Sequence, residues 1–401
     1  MAGGGLLSVE QALERLLAEA DASPIEGSET VALGGADGRV LAEPVRAPID
    51  IPPWPNSAMD GYAFRQADVT GEPLPVSQKI FAGMQPDALL PGSLARIFTG
   101  APLPEGADGV EMQENAEVLP DGRVRLLQAV RAGQHVRPRG GEARAGETLL
   151  EGGTRLGPFE IGVAATVGRD RLPVRRRPRV AVLSTGDELV EPGLPLGPGQ
   201  IYNSNRALLC AWLNRLGCEV VDVGVLADDL ERIRACLASL SGVDLILSSG
   251  GVSVGEADFL GQALREAGEL TLWKLAIKPG KPLTCGHYQG VPVIGLPGNP
   301  ASGLVTFGLL ARPYLLRRLG VAEVAPASFQ VPAGFDWPRA GSRREYLRAR
   351  LEGGQARLYG NQSSAVLRSA AWANGLVEIP EQRTLAEGDA VRFLPFSELL
   401  N

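Results

Sequence analysis

The spacing of apolar positions changes three times along the chain. Near the start, Val9, Ala12, Leu13, Leu16, Leu17 and Ala20 recur every three or four residues, which predicts an amphipathic helix. Ser8 and Gln11 supply a capping box at its start. From about Val31 to Leu172 the helical period disappears. Short apolar runs alternate with Gly/Pro turns, as in "PGSLARIFTGAPLPEG", "LPDGRVRLL" and "RAGETLLEGGTRLGP". This predicts an all-β region of more than one small module. Leu172 to Val180, "LPVRRRPRV", reads as a solvated linker that two prolines keep extended.

After the linker, strands and helices alternate. "RVAVLST", "CEVVDVGVL", "VDLILSS", "LTLWKLAI" and "VPVIGLP" read as strands. "NRALLCAWLNRLG", closed by Gly217, "DLERIRACLASL", "ADFLGQALREAG" and "PASGLVTFGLLARPYLLRRLG" read as helices. Pro313 should kink or split the last one. The alternation predicts a doubly wound, mostly parallel α/β sheet with right-handed crossovers. From Ala325 to Asn401 the pattern returns to short strands: "REYLRARL", "ARLYG", "GLVEIP" and "AVRFLPF". The fold class is thus multidomain: a doubly wound α/β domain flanked by β-rich domains.

Composition narrows the function. The chain has 401 residues, 44% hydrophobic and 21% charged, as expected for an ordinary globular protein of several domains. A net charge of -7 argues against a nucleic-acid binder. No apolar run is long enough to span a bilayer, and the first twenty residues lack the pattern of a signal peptide. Cys210, Cys218, Cys236 and Cys285 form no C-x-x-C pair and read as buried free thiols of a reducing cytoplasm. That only His135 and His287 are present argues against a multi-histidine metal site or a Ser-His-Asp triad. His287, in "CGHYQG", reads as part of a hairpin turn.

In a doubly wound sheet, ligands bind beyond the carboxyl ends of the strands. Four loops leave strands at that edge: "STGDEL", "LADDL", "SSGGVSVGEADF" and "GLPGNPAS". Three of them carry acids: Asp187 and Glu188, Asp228 and Asp229, Glu256 and Asp258. Asp229 could equally cap the helix that follows it, and Asn299–Pro300 is a sound helix start by itself. In "WKLAIKPGKP", Lys274, Lys278 and Lys281 crowd an otherwise apolar stretch. If this is one strand, Lys274 and Lys278 share a face. Lysines opposite carboxylates suit an anion held together with a divalent cation. Oxygen donors without Cys or His point to Mg²⁺, and the absence of G-x-x-x-x-G-K-[ST] excludes a P-loop.

Taken in order, "PNSAMDGYAF", "FTGAPLPEGAD", "STGDEL", "SSGGVSVGEADF", "WKLAIKPGKP" and "GLPGNPAS" resemble the molybdopterin molybdenumtransferase (MoeA) family, which includes the E domain of gephyrin. The resemblance runs over essentially the whole chain. It implies a cytoplasmic, elongated homodimer of four-domain subunits. These would be residues 1–47 with 146–177, an inserted 48–145, an α/β domain at 178–324 and a β-domain at 325–401. The active cleft would join the α/β domain of one subunit to the β-domain of the other. It further implies Mg²⁺-dependent insertion of molybdate into adenylylated molybdopterin with release of AMP. The adenylyltransferase upstream and the molybdoenzyme apoproteins downstream would be further partners.

Carried over residue by residue, the resemblance makes Asp60, Asp228, Asp258, Lys278 and Lys281 catalytic. Glu188 and Asp258 would hold the metal. Thr99, Gly250, Gly251, Ser253, Lys274, Pro297, Gly298 and Asn299 would contact the nucleotide or pterin, with Arg348 and Ser364 at molybdate. Arg348 on its own reads as a solvated strand residue. One segment departs from the family pattern: in "VRPRGGEARAGE", Glu142 stands where the family carries Asp. Two other classes share parts of this pattern. A receptor-anchoring scaffold could dispense with the carboxylates, and an adenylyltransferase would not need the flanking β-domains.

Overall fold

A computed structural model describes residues 6–250 and 259–400. The amino-terminal helix runs Val9–Ala22, and both halves of the Ser8–Gln11 capping box are formed. Its buried stripe of Val9, Ala12, Leu16 and Ala20 enters the largest core, beside Tyr314 and Leu315 of the Arg312–Arg318 helix. The first helix is therefore part of the α/β core, and its Glu19 bonds Tyr314, 295 residues away in sequence.

That core is built on a six-stranded sheet. Its spatial order is Glu219–Leu226, Arg179–Thr185, Leu245–Ser249, Val291–Leu296, Pro282–Tyr288, Gly268–Lys274. The first four strands are parallel, and Pro282–Tyr288 runs against its two neighbours. Alternation along the strands divides the interior. Val180, Val182, Leu245 and Leu247 face Leu209, Leu213 and Leu304 of two helices. Ala181, Leu183 and Ile246 face Ile233, Leu237, Leu260 and Ala263 of two others. Helices on both faces make the sheet doubly wound, as the alternation of elements predicts.

The remaining residues form smaller units. Gly61–Phe64, Val76–Ile80, Leu94–Ile97 and Gly109–Met112 make a four-stranded sheet. Ser28–Ala32 pairs antiparallel with Arg171–Arg175, joining segments about 140 residues apart. A carboxy-terminal sheet contains Arg344–Glu352, Gly375–Ile379, Ala390–Pro395 and Phe329–Pro332, with Ile277–Lys278 added at its edge.

Four readings of the sequence need correction, and a fifth, the break expected near Pro313, is present. The region read as all-β contains a helix, Pro158–Thr166, started by Gly157 and a proline in its first turn. Its nine residues are mostly small or apolar, and only Ala164 is buried, so no amphipathic period shows. The basic "linker" is half a strand, Arg171–Arg175, and the Arg176 that follows is clamped to Asp244 by two 2.7 Å bonds. Lys274 and Lys278 do not share a strand. Lys274 ends one strand of the α/β sheet, whereas Ile277–Lys278 pairs in parallel with Arg344–Glu345 of the carboxy-terminal sheet. His287 is a strand residue; the turn is Gln289–Gly290, both at positive φ (48° and 83°). The long last helix is interrupted by a wide turn at Phe307–Ala311, one turn before Pro313, whose missing N–H cannot support the regular ladder there.

Candidate active site

Because four strands are parallel, Thr185, Leu226, Ser249 and Leu296 all end at one edge. The winding reverses between Arg179–Thr185 and Leu245–Ser249. One crossover leads outward to Glu219–Leu226 and the next returns past the first strand. A crevice opens where neighbouring loops diverge in this way. The loops around it are held close. Gly250 sits at φ 85°, donates its N–H to the Leu296 carbonyl at 3.2 Å, and would bring a Cβ to 3.1 Å from the Thr185 carbonyl. Gly298 lies against the Gly250 Cα. Pro297 is buried beneath them, and Asn299 begins the Pro300–Thr306 helix without a side-chain cap bond.

One side chain absent from the sequence expectations ties these loops together. The Asn205 amide nitrogen donates to Ser249 Oγ at 2.8 Å and to the Gly298 carbonyl at 2.6 Å. Asn205 is fixed by the start of the Ser204–Arg215 helix, where Asn203 caps by accepting the Arg206 N–H. The "NSN" run at a helix start was the available signal. Beneath the loops, Ser184 Oγ, Ser248 Oγ and Asn203 Nδ2 are buried without a hydrogen-bond partner among the described residues. Buried polar atoms are rarely left so.

The acids gather on the neighbouring loops. Asp187 Oδ1 accepts the Asp228 N–H at 3.1 Å. Burial pushes the Asp228 carboxyl above its usual value, and the charges of Asp187 and Glu188 push it further the same way. Asp229 accepts the Arg232 N–H and so caps the next helix. Among the described residues, no three His, Cys, Asp or Glu converge closely enough to hold a metal ion. Gly251, Ser253, Glu256 and Asp258 lie outside the described residues.

The basic side is assembled from two sheets. Lys278 Nζ lies 3.0 Å from the buried carboxylate of Glu345, on the strand it pairs with. The Lys274 carbonyl accepts the Leu7 N–H and the Lys281 carbonyl the Leu275 N–H, which fixes the backbone on either side of the turn. Gly280, at φ 106°, makes that turn against Thr306. Arg348 is not a solvated residue: it is 0% exposed. Its Nε donates to Ser369 Oγ and its Nη2 to the Ser363 carbonyl, both at 3.0 Å, while Nη1 is buried without a partner among the described residues. Burial pushes this guanidinium down to about 10, so it stays charged at neutral pH. The adjoining Ser364 carbonyl accepts the Ala301 N–H at 3.0 Å, seating this loop on the helix that Asn299 starts. The α/β edge and the carboxy-terminal sheet thus meet within one chain.

Asp60 and Thr99 meet each other on the four-stranded sheet. Asp60 Oδ1 accepts both the N–H and the hydroxyl of Thr99 at 2.8 Å, and these two bonds hold its carboxyl below the usual range. Gly61 is required beside it, because a Cβ there would fall 1.9 Å from the Glu111 carbonyl. Glu142 is exposed, and its N–H bonds to the Ile51 carbonyl.

A doubly wound domain with such an edge, flanked by β-rich sheets, defines a class of multidomain α/β proteins whose crevice lies at the strand ends. Three family models then match in sequence. They are the MoeA N-terminal region (domains I and II) over residues 7–168, a probable molybdopterin binding domain over 181–317, and the MoeA C-terminal region (domain IV) over 330–396. The chain is 37% identical over 405 residues to a molybdopterin molybdenumtransferase of Haemophilus influenzae, covering 98% of this chain and 100% of that one. It is 39% identical to molybdopterin molybdenumtransferase 2 of Mycobacterium tuberculosis, over 88% and 91% of the two chains. Its fold matches crystal structures of a molybdopterin biosynthesis MoeA protein from Pyrococcus horikoshii. One has a TM-score of 0.83 at 29% identity, covering 98% of this chain and 100% of that chain. Another has 0.77 at 36% identity, covering 98% and 99%. The chain belongs to the MoeA family of molybdopterin molybdenumtransferases, enzymes of molybdenum cofactor biosynthesis.

Proposed function

We propose that this enzyme inserts molybdate into adenylylated molybdopterin and releases AMP, in a Mg²⁺-dependent step. The observation that carries the reading is a buried cation behind a loop seated on the helix that starts at the same strand edge as the acids. Asp187, Glu188 and Asp228 stand on one side, and Arg348 stands, buried and uncompensated, behind the loop seated on the facing helix. A buried cation without a carboxylate is costly unless an anion meets it. The Arg348 Nη1, unpartnered among the described residues, would supply one donor for a molybdate oxygen, and the Ser364 hydroxyl on the adjoining loop would supply a second.

The donor set fits a hard cation, since it is carboxylate oxygen with no Cys or His. Glu188 and Asp258 would hold Mg²⁺, which when bound neutralises charge on the pyrophosphate. The chain's own groups do the rest. Gly250 and Gly251 would let backbone approach the ligand, and Asn205 fastens Ser249, just ahead of them, to the loop of Pro297, Gly298 and Asn299. Ser253 and Lys274 add donors, and Lys278 and Lys281 balance the negative charge of the departing AMP. Asp228 stays at hydrogen-bond range of the cluster to take or hold a proton. Asp60, oriented by Thr99, serves from the four-stranded sheet, and in a homodimer it would reach the cleft of the partner. Glu142 keeps the charge of the family Asp with one more methylene. The upstream adenylyltransferase and the downstream apoproteins are the partners this role requires, in the cytoplasm.

The test is purified protein with adenylylated molybdopterin, Mg²⁺ and molybdate. AMP should appear only when molybdate is present and should be lost in Asp258→Ala. Full turnover by that variant, or release of AMP without molybdate at the same rate, refutes the assignment.

A further inference from the structure

The four-stranded sheet carries an aromatic and cationic stack that none of the site assignments uses. Lys79, Arg96, Tyr62 and Glu111 lie directly opposite one another across its strands. Phe81 and Phe98 stand two residues beyond Lys79 and Arg96, so they project on the same side. Their rings are parallel, 4.6 Å between centroids with 3° between planes. The Arg96 guanidinium carbon lies 4.5 Å from the Phe98 centroid and 5.2 Å from that of Tyr62. The order of the stack is therefore Phe81, Phe98, Arg96, Tyr62.

Its outer end is open. Phe81 is 46% exposed although it is a large apolar side chain. Lys79 Nζ is 5.2 Å from the Phe81 centroid and 5.5 Å from the Phe98 centroid. Near-equal distances to two rings 4.6 Å apart put the ammonium beside the pair, not over the outer face of Phe81. Lys79 forms no ion pair among the described residues. The second ring borders the Asp60–Thr99 pair, since Thr99 follows Phe98. A flat π-face with an unpaired cation at its rim fits a planar heteroaromatic ring carrying a phosphate. The ring gains stacking, and the phosphate gains the ammonium.

We infer that the outer face of Phe81, with Lys79 at its edge, is a stacking platform for the planar phosphorylated end of the substrate. The platform rests on the function proposed above for the identity of that substrate. Two rings share this chemistry, the purine of the adenylyl group and the pterin, and two probes separate them: AMP and neopterin monophosphate. Calorimetry on the full-length protein should show one of the two binding with an affinity that falls about tenfold or more in Phe81→Ala and Phe81→Leu. Phe81→Trp should retain it. Lys79→Gln should weaken the phosphorylated probe and leave the matching unphosphorylated nucleoside or pterin unchanged. The leucine variant keeps apolar bulk without a π-face, so a result confined to alanine marks a packing effect and overturns the platform. Equal affinities in wild type and both Phe81 variants overturn it too, as does absence of binding by both probes at millimolar concentration. Turnover separates this inference from the proposed function. Wild-type turnover with an unchanged KM in Phe81→Leu removes the platform alone. Phe81-dependent probe binding without molybdate-dependent turnover removes the function alone.

Discussion

At the scale of single residues, the site depends on side chains whose value lies in two bonds made at once. Asn205 is the clearest case, because one amide nitrogen fastens Ser249 to Gly298. Asn205→Ala should release both loops, lowering kcat/KM for the molybdate-dependent release of AMP at least tenfold. Thermal melting should register a loss of about 1–2 kcal/mol, the scale of two partly exposed hydrogen bonds. An activity loss no larger than the stability loss accounts for would place Asn205 outside the site. The acids and lysines at the strand edge were legible in the sequence, since charge in a Gly-rich or apolar run stands out. Arg348 was not: its burial follows from the tertiary packing of Ser369 and the 359–364 loop, which a strand pattern does not encode. Asn205 escaped for a related reason, because an asparagine at a helix start already has a sufficient local explanation.

At the scale of elements, the join between the Arg171–Arg175 strand and the α/β sheet turns on one ion pair. Asp244 accepts two bonds from Arg176 and one from the Arg179 N–H. Burial works to raise its carboxyl, but these bonds and the nearby charge of Arg318 outweigh it and hold it below the ordinary 3.8. A carboxylate with a depressed folded value stabilises the fold above its unfolded value and loses that contribution as pH falls through the folded one. Acid titration followed by circular dichroism should therefore show the wild type losing stability below about pH 4, with a shallower loss in Asp244→Asn. Near pH 7 the same variant should be less stable by about 2 kcal/mol, the worth of charge-assisted bonds. An identical acid limb in both proteins would refute the assignment. A run such as "RRRPR" hides this role, since composition cannot tell a solvated arginine from one aimed at an acid 68 residues on. The Pro158–Thr166 helix was hidden differently, by a length too short to display a period.

At the scale of the whole molecule, strand and helix alternation was enough to foresee the doubly wound sheet, because buried parallel strands read as continuous apolar runs. Which segments close onto one another was not legible in the apolar pattern, since ladders such as Ser28–Ala32 with Arg171–Arg175 depend on contacts between distant residues; the joining of 1–47 to 146–177 came from the family resemblance alone. The amino-terminal helix is the extreme instance. Its Glu19 accepts the Tyr314 hydroxyl at 3.0 Å, and Ile25 donates its N–H to the Arg318 carbonyl at 2.7 Å. Deleting residues 1–24 should expose the apolar faces of Tyr314 and Leu315, lower the melting temperature and raise dye binding to apolar surface. A truncated protein that melts with the wild type would contradict this packing. The same arrangement has a consequence for biogenesis. A ribosome adds about 5–20 residues per second, so roughly 300 further residues take some 15–60 seconds to emerge after the first helix is made. Throughout that interval its apolar stripe has no mate, and the nascent chain presents it to chaperones before the enzyme can close on itself.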